Sequence, residues 1–168
     1  MGAHSIDREA VTRAVLDAVR RIVRTLHESS RAAEKTLGVS GAQLFVLQTL
    51  AEVPGASLNT LAARTHTHQS SVSAVVSRLV DRGLVLRAPA AADARRLELR
   101  LSAEGRRLIS RAPDAAQTRL IRAVEELPPA RRRTLARSLN DLTRAMDLAD
   151  RRPVMFFDET KRRTARDA

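Results

Sequence analysis

The spacing of apolar residues predicts that the chain begins with one long helix. Near the N-terminus, apolar side chains recur every three or four residues, which is the spacing of one face of an α-helix. They are Val11, Val15, Val19, Ile22 and Leu26. Neither Gly nor Pro interrupts residues 6–37, and Gly38 stands where a left-handed helix end needs it. The expected helix of about 30 residues is much longer than the usual ~11–12.

The next part of the chain predicts three further helices. Ser40 and Ser57 are suited to cap the first two. A break at residues 65–67 separates the second from the third, which is expected to run from residue 68 or 69 to residue 82, with Gly83 ending it. The spacing of apolar residues turns four side chains of the third helix inward: Val72, Val75, Val76 and Leu79.

The period of the pattern then changes from that of a helix to that of a strand. Residues 84–87 are predicted to form a short strand and residues 89–94 a turn. A half-buried second strand follows, in which leucines alternate with polar residues at Leu97, Leu99 and Leu101. Two such strands joined by a short turn make a β-hairpin.

Residues 103–149 are predicted to be helical again. Pro113 divides this stretch, and a turn at 128–129 leads into a last helix, which residues 151–153 are expected to end. The last helix carries a second apolar stripe, formed by Leu135, Leu139, Leu142 and Met146. The tail that follows is polar and charged except at residues 154–157.

Composition excludes several classes of function. The absence of Cys excludes disulfides, thiolate metal sites and thiol redox switches. His66 and His68 have no carboxylate or Cys nearby in the sequence, so no metal site is expected. Spacing suggests no Ser-His-Asp set, Gly-rich phosphate loop or pair of catalytic carboxylates. We therefore expect no enzyme activity, no catalytic residues and no cofactor.

The sequence also indicates where the protein works. Residues 1–5 do not begin a signal peptide, and no apolar stretch approaches the ~20 residues of a membrane helix. The expected location is the cytoplasm of a bacterium, with association to the nucleoid when the protein is bound to DNA and no contact with a membrane.

The charge favours a polyanionic partner. The formal net charge is +11, and residues 57–102 alone hold seven Arg against three acidic residues. Small proteins this basic usually bind nucleic acid or another polyanion. The alternative is a charged surface that only keeps the protein soluble.

The predicted order of helix, tight turn, helix and hairpin is that of a helix-turn-helix followed by a wing. Such a helix enters the major groove, where each base pair offers a distinct set of donors and acceptors. Arg95 and Arg96, near the hairpin tip, are suited to the minor groove. The alternatives are Ser70 and Ser71 as ordinary helix-start residues, and Arg95 paired with Asp93 in a solvated turn. The candidate DNA contacts are Thr67, His68, Gln69, Ser70, Ser71, Ser73, Ser77, Arg78, Arg87, Arg95 and Arg96.

Six short segments together resemble the MarR family of winged helix-turn-helix transcription regulators. They are SGAQLFVL at 40–47, SLNTLA at 57–62, QSSVS at 69–73, LVDRGLV at 79–85, DARR at 93–96 and LRLSAEG at 99–105. The resemblance covers residues 6–149. Ala74 stands where the family often has a basic residue, and three Ala at 90–92 replace the first of two Asp-x-Arg units. Both departures remove charge from expected DNA contacts.

The resemblance implies a mainly α fold with a small β-hairpin wing, in which a winged helix-turn-helix is joined to a helical dimerisation region. It also implies that the first, fifth and sixth helices of two chains pack together. The apolar stripes of the first and last helices support this independently, because one small lobe cannot cover them. The tail is expected either to be disordered or to dock on the dimer. The predicted regions are an N-terminal dimerisation helix (1–38), a DNA-binding lobe (39–102), C-terminal dimerisation helices (103–150) and a basic tail (151–168).

The function implied is that of a ligand-responsive repressor that binds a pseudo-palindromic operator in double-stranded DNA as a homodimer. In the family, small aromatic or phenolic anions often bind in a cleft between the dimer helices and the DNA-binding lobe. Arg24, His27 and Arg31 on the first helix are candidate effector contacts, with solvent exposure as the alternative. Two other functions stay open: a nonspecific architectural DNA-binding protein, and a winged helix used for protein–protein contacts.

Overall fold

The computed structural model describes residues 3–90, 93–151, 153, 155 and 156. Within them, seven helices and a two-stranded antiparallel hairpin confirm the predicted fold class. The helices are α1 (Ala3–Leu37), α2 (Gly41–Glu52), α3 (Leu58–Arg64), α4 (Gln69–Asp81), α5 (Ala103–Ile109), α6 (Ala116–Glu126) and α7 (Pro129–Ala145). The strands, between α4 and α5, are β1 (Val85–Ala90) and β2 (Asp93–Leu101).

Side-chain caps set the starts of α2 and α3, as the sequence predicts. At α2, the backbone N–H of Gln43 donates to Ser40 Oγ (3.3 Å), and the backbone N–H of Ser40 donates to Gln43 Oε1 (3.0 Å). At α3, Ser57 Oγ accepts the backbone N–H of Thr60 at 3.1 Å. Gly38, which follows α1, adopts the expected left-handed conformation with a φ of 66°.

The core lies between α2, α4 and the base of the hairpin. All four residues that the apolar spacing turns inward on α4 have no exposed surface: Val72, Val75, Val76 and Leu79. They share one cluster with Leu44 and Leu47 of α2. The loop before α3 joins the hairpin, because the N–H of Leu99 donates to the carbonyl of Ala56 at 2.9 Å. The core therefore fixes α4 and the hairpin on the same lobe.

α5 is held against the base of the hairpin by an unusually close approach at Gly105. The N–H of Gly105 donates to Ser102 Oγ (2.9 Å), and the N–H of Ser102 donates to the carbonyl of Leu84 (3.0 Å). A Cβ atom at position 105 would overlap the Leu84 carbonyl oxygen. Only Gly fits there without moving the backbone.

The hairpin is longer than the sequence predicts. β1 extends to Ala90 and β2 begins at Asp93, and these two residues pair. The predicted turn at 89–94 is therefore wrong, because β1 and β2 reach into this range from both sides. Pro89 does not break β1, since both strands of a two-stranded sheet are edge strands, where Pro is tolerated.

α7 ends earlier than the sequence predicts, at Ala145 instead of near residues 151–153. Asp147 adopts a left-handed φ of 54°, and the N–H of Leu148 reaches back to the carbonyl of Thr143 at 2.9 Å. This is the geometry of a Schellman helix end, in which Gly is usual. The sequence gives no warning of it, because Asp adopts this conformation much less often than Gly.

Two apolar stripes remain exposed on the described protomer. On α1 they include Val11, Val15, Val19 and Ile22, and on α7 Leu135, Leu139, Leu142 and Met146. α7 has no buried residue at all. An isolated helix of the length of α7 is only marginally stable in water, so most of its stability must come from packing against another element. Nor does any helix in the described part of the chain have the length and apolarity to cross a bilayer.

Candidate nucleic-acid interface

A tight turn joins α3 to α4 and fixes where α4 begins. Thr65 Oγ1 donates to the carbonyl of Leu61 at 2.8 Å, and the N–H of Thr67 donates to the carbonyl of Ala62 at 3.0 Å. His66 between them adopts a left-handed φ of 50°. The turn is thus hydrogen-bonded to the last turn of α3, so the two helices keep one relative orientation.

The N-terminal end of α4 is exposed and polar. His68, Gln69 and Ser70 are all exposed there. His68 occupies the N-cap but makes no side-chain capping hydrogen bond. The first backbone N–H groups of a helix lack partners within it and form the positive end of the helix dipole. This end therefore offers both hydrogen-bonding side chains and a positive potential.

Ser71 lies on the inner side of α4, contrary to the sequence prediction. The residue is only 8% exposed. It precedes the fully buried Val75 by four residues, and residues four apart share a helix face. The prediction that Ser71 belongs to the exposed face is wrong. The other candidates on the turn and the helix are half-buried: Thr67, Ser73, Ser77 and Arg78.

One hydrogen bond joins the wing to the outer side of α4. Arg87 on β1 is exposed, and its Nη2 donates to Ser77 Oγ at 3.0 Å. The guanidinium therefore lies beside α4 and extends its polar surface. Arg95 and Arg96 belong to β2, but their side chains lie outside the described residues. Their contact with the minor groove stays a prediction.

A cleft of about 570 Å³ lies between the α3–α4 turn and α6. This volume is in the range of small-molecule sites. At the neighbouring surface, His66 Nε2 is 3.5 Å from Glu125 Oε1, so folding brings a carboxylate to a histidine that has none nearby in the sequence. Both apolar and polar side chains surround the cleft. The principal ones are Phe45, Leu120, Ile121, Met155 and Phe156 among the apolar, and His66, Thr67, His68 and Gln117 among the polar.

Residues 37–96, which include α2 to α4 and most of the hairpin, match the model of the MarR family. The match covers this segment alone, and over it the chain is similar to the MarR family. The MarR family consists of transcription regulators, so the match favours this role over that of an enzyme. No curated protein matches the sequence significantly.

Solved structures share the fold of this chain. A MarR family transcription regulator is 22% identical, with 89% of this chain and 99% of that chain covered and a TM-score of 0.54. A MarR/EmrR family regulator from Acinetobacter sp. ADP1 is 22% identical, with 84% and 97% covered and a TM-score of 0.52. The regulator BldR from Sulfolobus solfataricus is 21% identical, with 83% and 97% covered and a TM-score of 0.52. At these identities the likeness shows the fold.

Gln117 is a polar residue of the cleft that the sequence did not predict. It is only 4% exposed, and its Nε2 is buried without a hydrogen-bond partner among the described residues. A buried, unpaired amide is energetically costly and marks a place where an acceptor would be favoured. The only sequence signal for its burial is its place one turn before Leu120 and Ile121 on α6. This signal is weak, because helices commonly carry Gln on their solvent side.

The three candidate effector residues of α1 do not lie around the cleft as far as the structure describes its walls. Arg24, His27 and Arg31 are all exposed. Arg24 Nε donates to Glu28 Oε1 at 2.7 Å, and this hydrogen bond and the charge of Glu28 raise the pKa of the Arg24 guanidinium. Arg24 thus has a partner on its own helix, and an effector role for the three residues stays a prediction.

Proposed function

We propose that this chain is a repressor that binds double-stranded DNA as a homodimer, with α4 in the major groove. The observation that carries the proposal is the division of α4 into two sides. Its Val and Leu side is fully buried and fixes the helix, while His68, Gln69 and Ser70 stand exposed at its N-terminal end. Amide and hydroxyl groups match the donors and acceptors of base edges, and Gln suits adenine.

The surface around α4 is suited to the phosphate backbone. Arg87 lies beside α4 through its hydrogen bond to Ser77 and keeps further N–H groups for phosphate oxygens. The positive end of the α4 dipole favours an anion at the same place. The net charge of +11 adds long-range attraction to DNA.

A second copy of the chain is the partner that the exposed stripes of α1 and α7 fit best. Both helices present aliphatic side chains along one side, and α7 buries nothing within the protomer. Packing the stripes of two copies about a twofold axis would cover both, and it would place two α4 helices about 34–36 Å apart on successive major-groove turns. The expected operator is therefore a pseudo-palindrome with half-site centres about 10 base pairs apart.

Gln69→Ala is expected to relax base preference. Discrimination at one position of each half-site should fall by about 1–3 kcal/mol, with affinity for unrelated DNA nearly unchanged. Arg87→Ala is the matched control, because loss of a phosphate contact weakens binding to all duplexes alike and makes the salt dependence shallower. Fluorescence anisotropy with operator duplexes carrying single base substitutions, at one fixed salt concentration, measures both. An equal loss on every duplex for Gln69→Ala would show that this residue does not recognise a base.

Competition between duplexes tests the proposed function against its alternatives. The region upstream of the chain's own gene should bind about 10³-fold or more tightly than random DNA of the same length. Equal affinity for both would indicate a nonspecific architectural protein. Binding to neither would favour a winged helix that contacts proteins.

We also propose that a small aromatic anion relieves repression through the cleft between the α3–α4 turn and α6. The cleft adjoins the start of α4. The dimer can exist in conformations that differ in the spacing of its two α4 helices, and a ligand that binds one conformation more tightly increases the population of that conformation. Salicylate at saturation is expected to raise the Tm and to weaken operator binding by about fivefold or more. Sodium acetate at the same ionic strength is the control. The same response to both salts would mean that salicylate acts only as an electrolyte.

A further inference from the structure

The chain returns to the DNA-binding lobe after α7. Met155 is only 4% exposed and belongs to the core cluster of the lobe, although α7 just before it has no buried residue. Together with Pro153 and Phe156 it forms one wall of the cleft. The burial of Met155 therefore holds the part of the chain just after α7 on the lobe.

The cleft that Met155 lines lies between two parts of the molecule whose relative position matters for DNA binding. One side of the cleft is the α3–α4 turn, from Thr65 to His68, and the other is α6, with Leu120 and Ile121. α6 leads directly into α7 and its exposed stripe. Met155 is buried in the core cluster and lines the cleft that both parts form, so a change in its packing would alter the position of the α4 N-terminus relative to the dimerisation region.

We propose that Met155 is a positioning residue that holds the α3–α4 turn against α6, and so sets the placement of α4 for DNA binding. The proposal rests on the proposed function, since it concerns the same DNA-binding surface. An unbranched thioether side chain suits this role because it fills an irregular gap between elements. Met155 belongs to the same chain as the lobe, so it loses its conformational freedom when the chain folds. DNA binding therefore does not have to supply the free energy for ordering it.

Two truncations separate the cleft wall from the rest of the tail. Removal of residues 153–168 deletes the wall, whereas removal of 157–168 keeps Met155 and Phe156. Hydrogen exchange of the full chain and both truncations reports the contact directly. Only the longer truncation is expected to speed exchange, by about tenfold, in the α3–α4 turn and in α6. It is also expected to weaken operator binding by about fivefold or more.

A pair of point variants tests Met155 itself. Met155→Leu conserves volume and apolarity, so it is expected to keep the exchange rates and the DNA affinity of the full chain. Met155→Gln has a similar length but buries an amide, so it is expected to reproduce the longer truncation. Rescue by Leu distinguishes packing at this site from a general effect of altering the tail.

The outcomes are distinct for the proposal and for the function on which it rests. Equal exchange in the full chain and the 153–168 truncation would overturn the contact, and faster exchange with unchanged DNA affinity would overturn the positioning role. Failure of the proposed function has a different signature, because the full chain itself would then show no preference for an operator.

Discussion

Leu139→Asp is expected to convert the proposed dimer into monomers and to abolish tight operator binding. Leu139 lies in the middle of the α7 stripe and is 47% exposed on the protomer. In the proposed homodimer the substitution is present in both copies. Each dimer therefore loses two leucine contacts and gains two carboxylates in an apolar interface. At about 1–2 kcal/mol per leucine, the two lost contacts alone should raise the dimer dissociation constant by about 30- to 800-fold, and the buried carboxylates should raise it further. Light scattering across a dilution series gives the oligomeric state, and anisotropy gives the affinity.

Asn140→Asp is the matched control for this result. It adds the same charge at the adjacent residue of α7, and successive residues of a helix point about 100° apart, so the charge lies away from the stripe. This variant should stay dimeric. Circular dichroism should show a folded lobe in both, since α7 buries nothing within the protomer. A Leu139→Asp protein that remains a dimer would show that this stripe does not form the interface.

Gly105→Ala is expected to destabilise the lobe by about 3 kcal/mol, because the added methyl group overlaps the carbonyl oxygen of Leu84. Helix propensity predicts the opposite sign, since Ala in a helix is about 1 kcal/mol better than Gly. The steric effect should win, because a backbone carbonyl cannot rotate away as a flexible side chain can. Guanidinium unfolding at one fixed protomer concentration measures the difference.

Gly83→Ala provides the comparison for this substitution. Gly83 lies just before the hairpin, whereas Gly105 lies just after it. Nothing lies within 4 Å of a Cβ atom built at Gly83, and only its φ of 68° opposes a side chain. The expected cost is about 1–2 kcal/mol, smaller than at Gly105. A Gly105→Ala protein as stable as the wild type would mean that α5 moves away from the hairpin without penalty.

Local physics explains why most of the fold could be predicted from the sequence. Ser40 and Ser57 act on N–H groups within one turn of themselves, and Gly38 and Gly83 act on their own backbone angles. Such effects need no knowledge of distant residues. The end of α7 at Ala145 could not be predicted in this way, because Asp147 adopts a left-handed conformation that Asp residues seldom adopt.

The site was predicted less completely, because its details depend on contacts between distant residues. Apolar spacing places Val72 and Val75 inside, but a small polar residue beside them, Ser71, is tolerated inside and carries no signal of its burial. The contact of His66 with Glu125 and the return of Met155 to the lobe join residues far apart in the sequence. The spacing of apolar residues reports on neighbours in the sequence and cannot predict such pairs.

Selection of bound duplexes from a random-sequence pool is the most direct test of whether the polar end of α4 recognises DNA bases. A dimer that uses His68, Gln69 and Ser70 should enrich an inverted repeat whose half-site centres lie about 10 base pairs apart. Gln69→Ala should broaden the enriched sequence at one position in each half. Recovery of unenriched, random sequences by the full chain would contradict base recognition by α4.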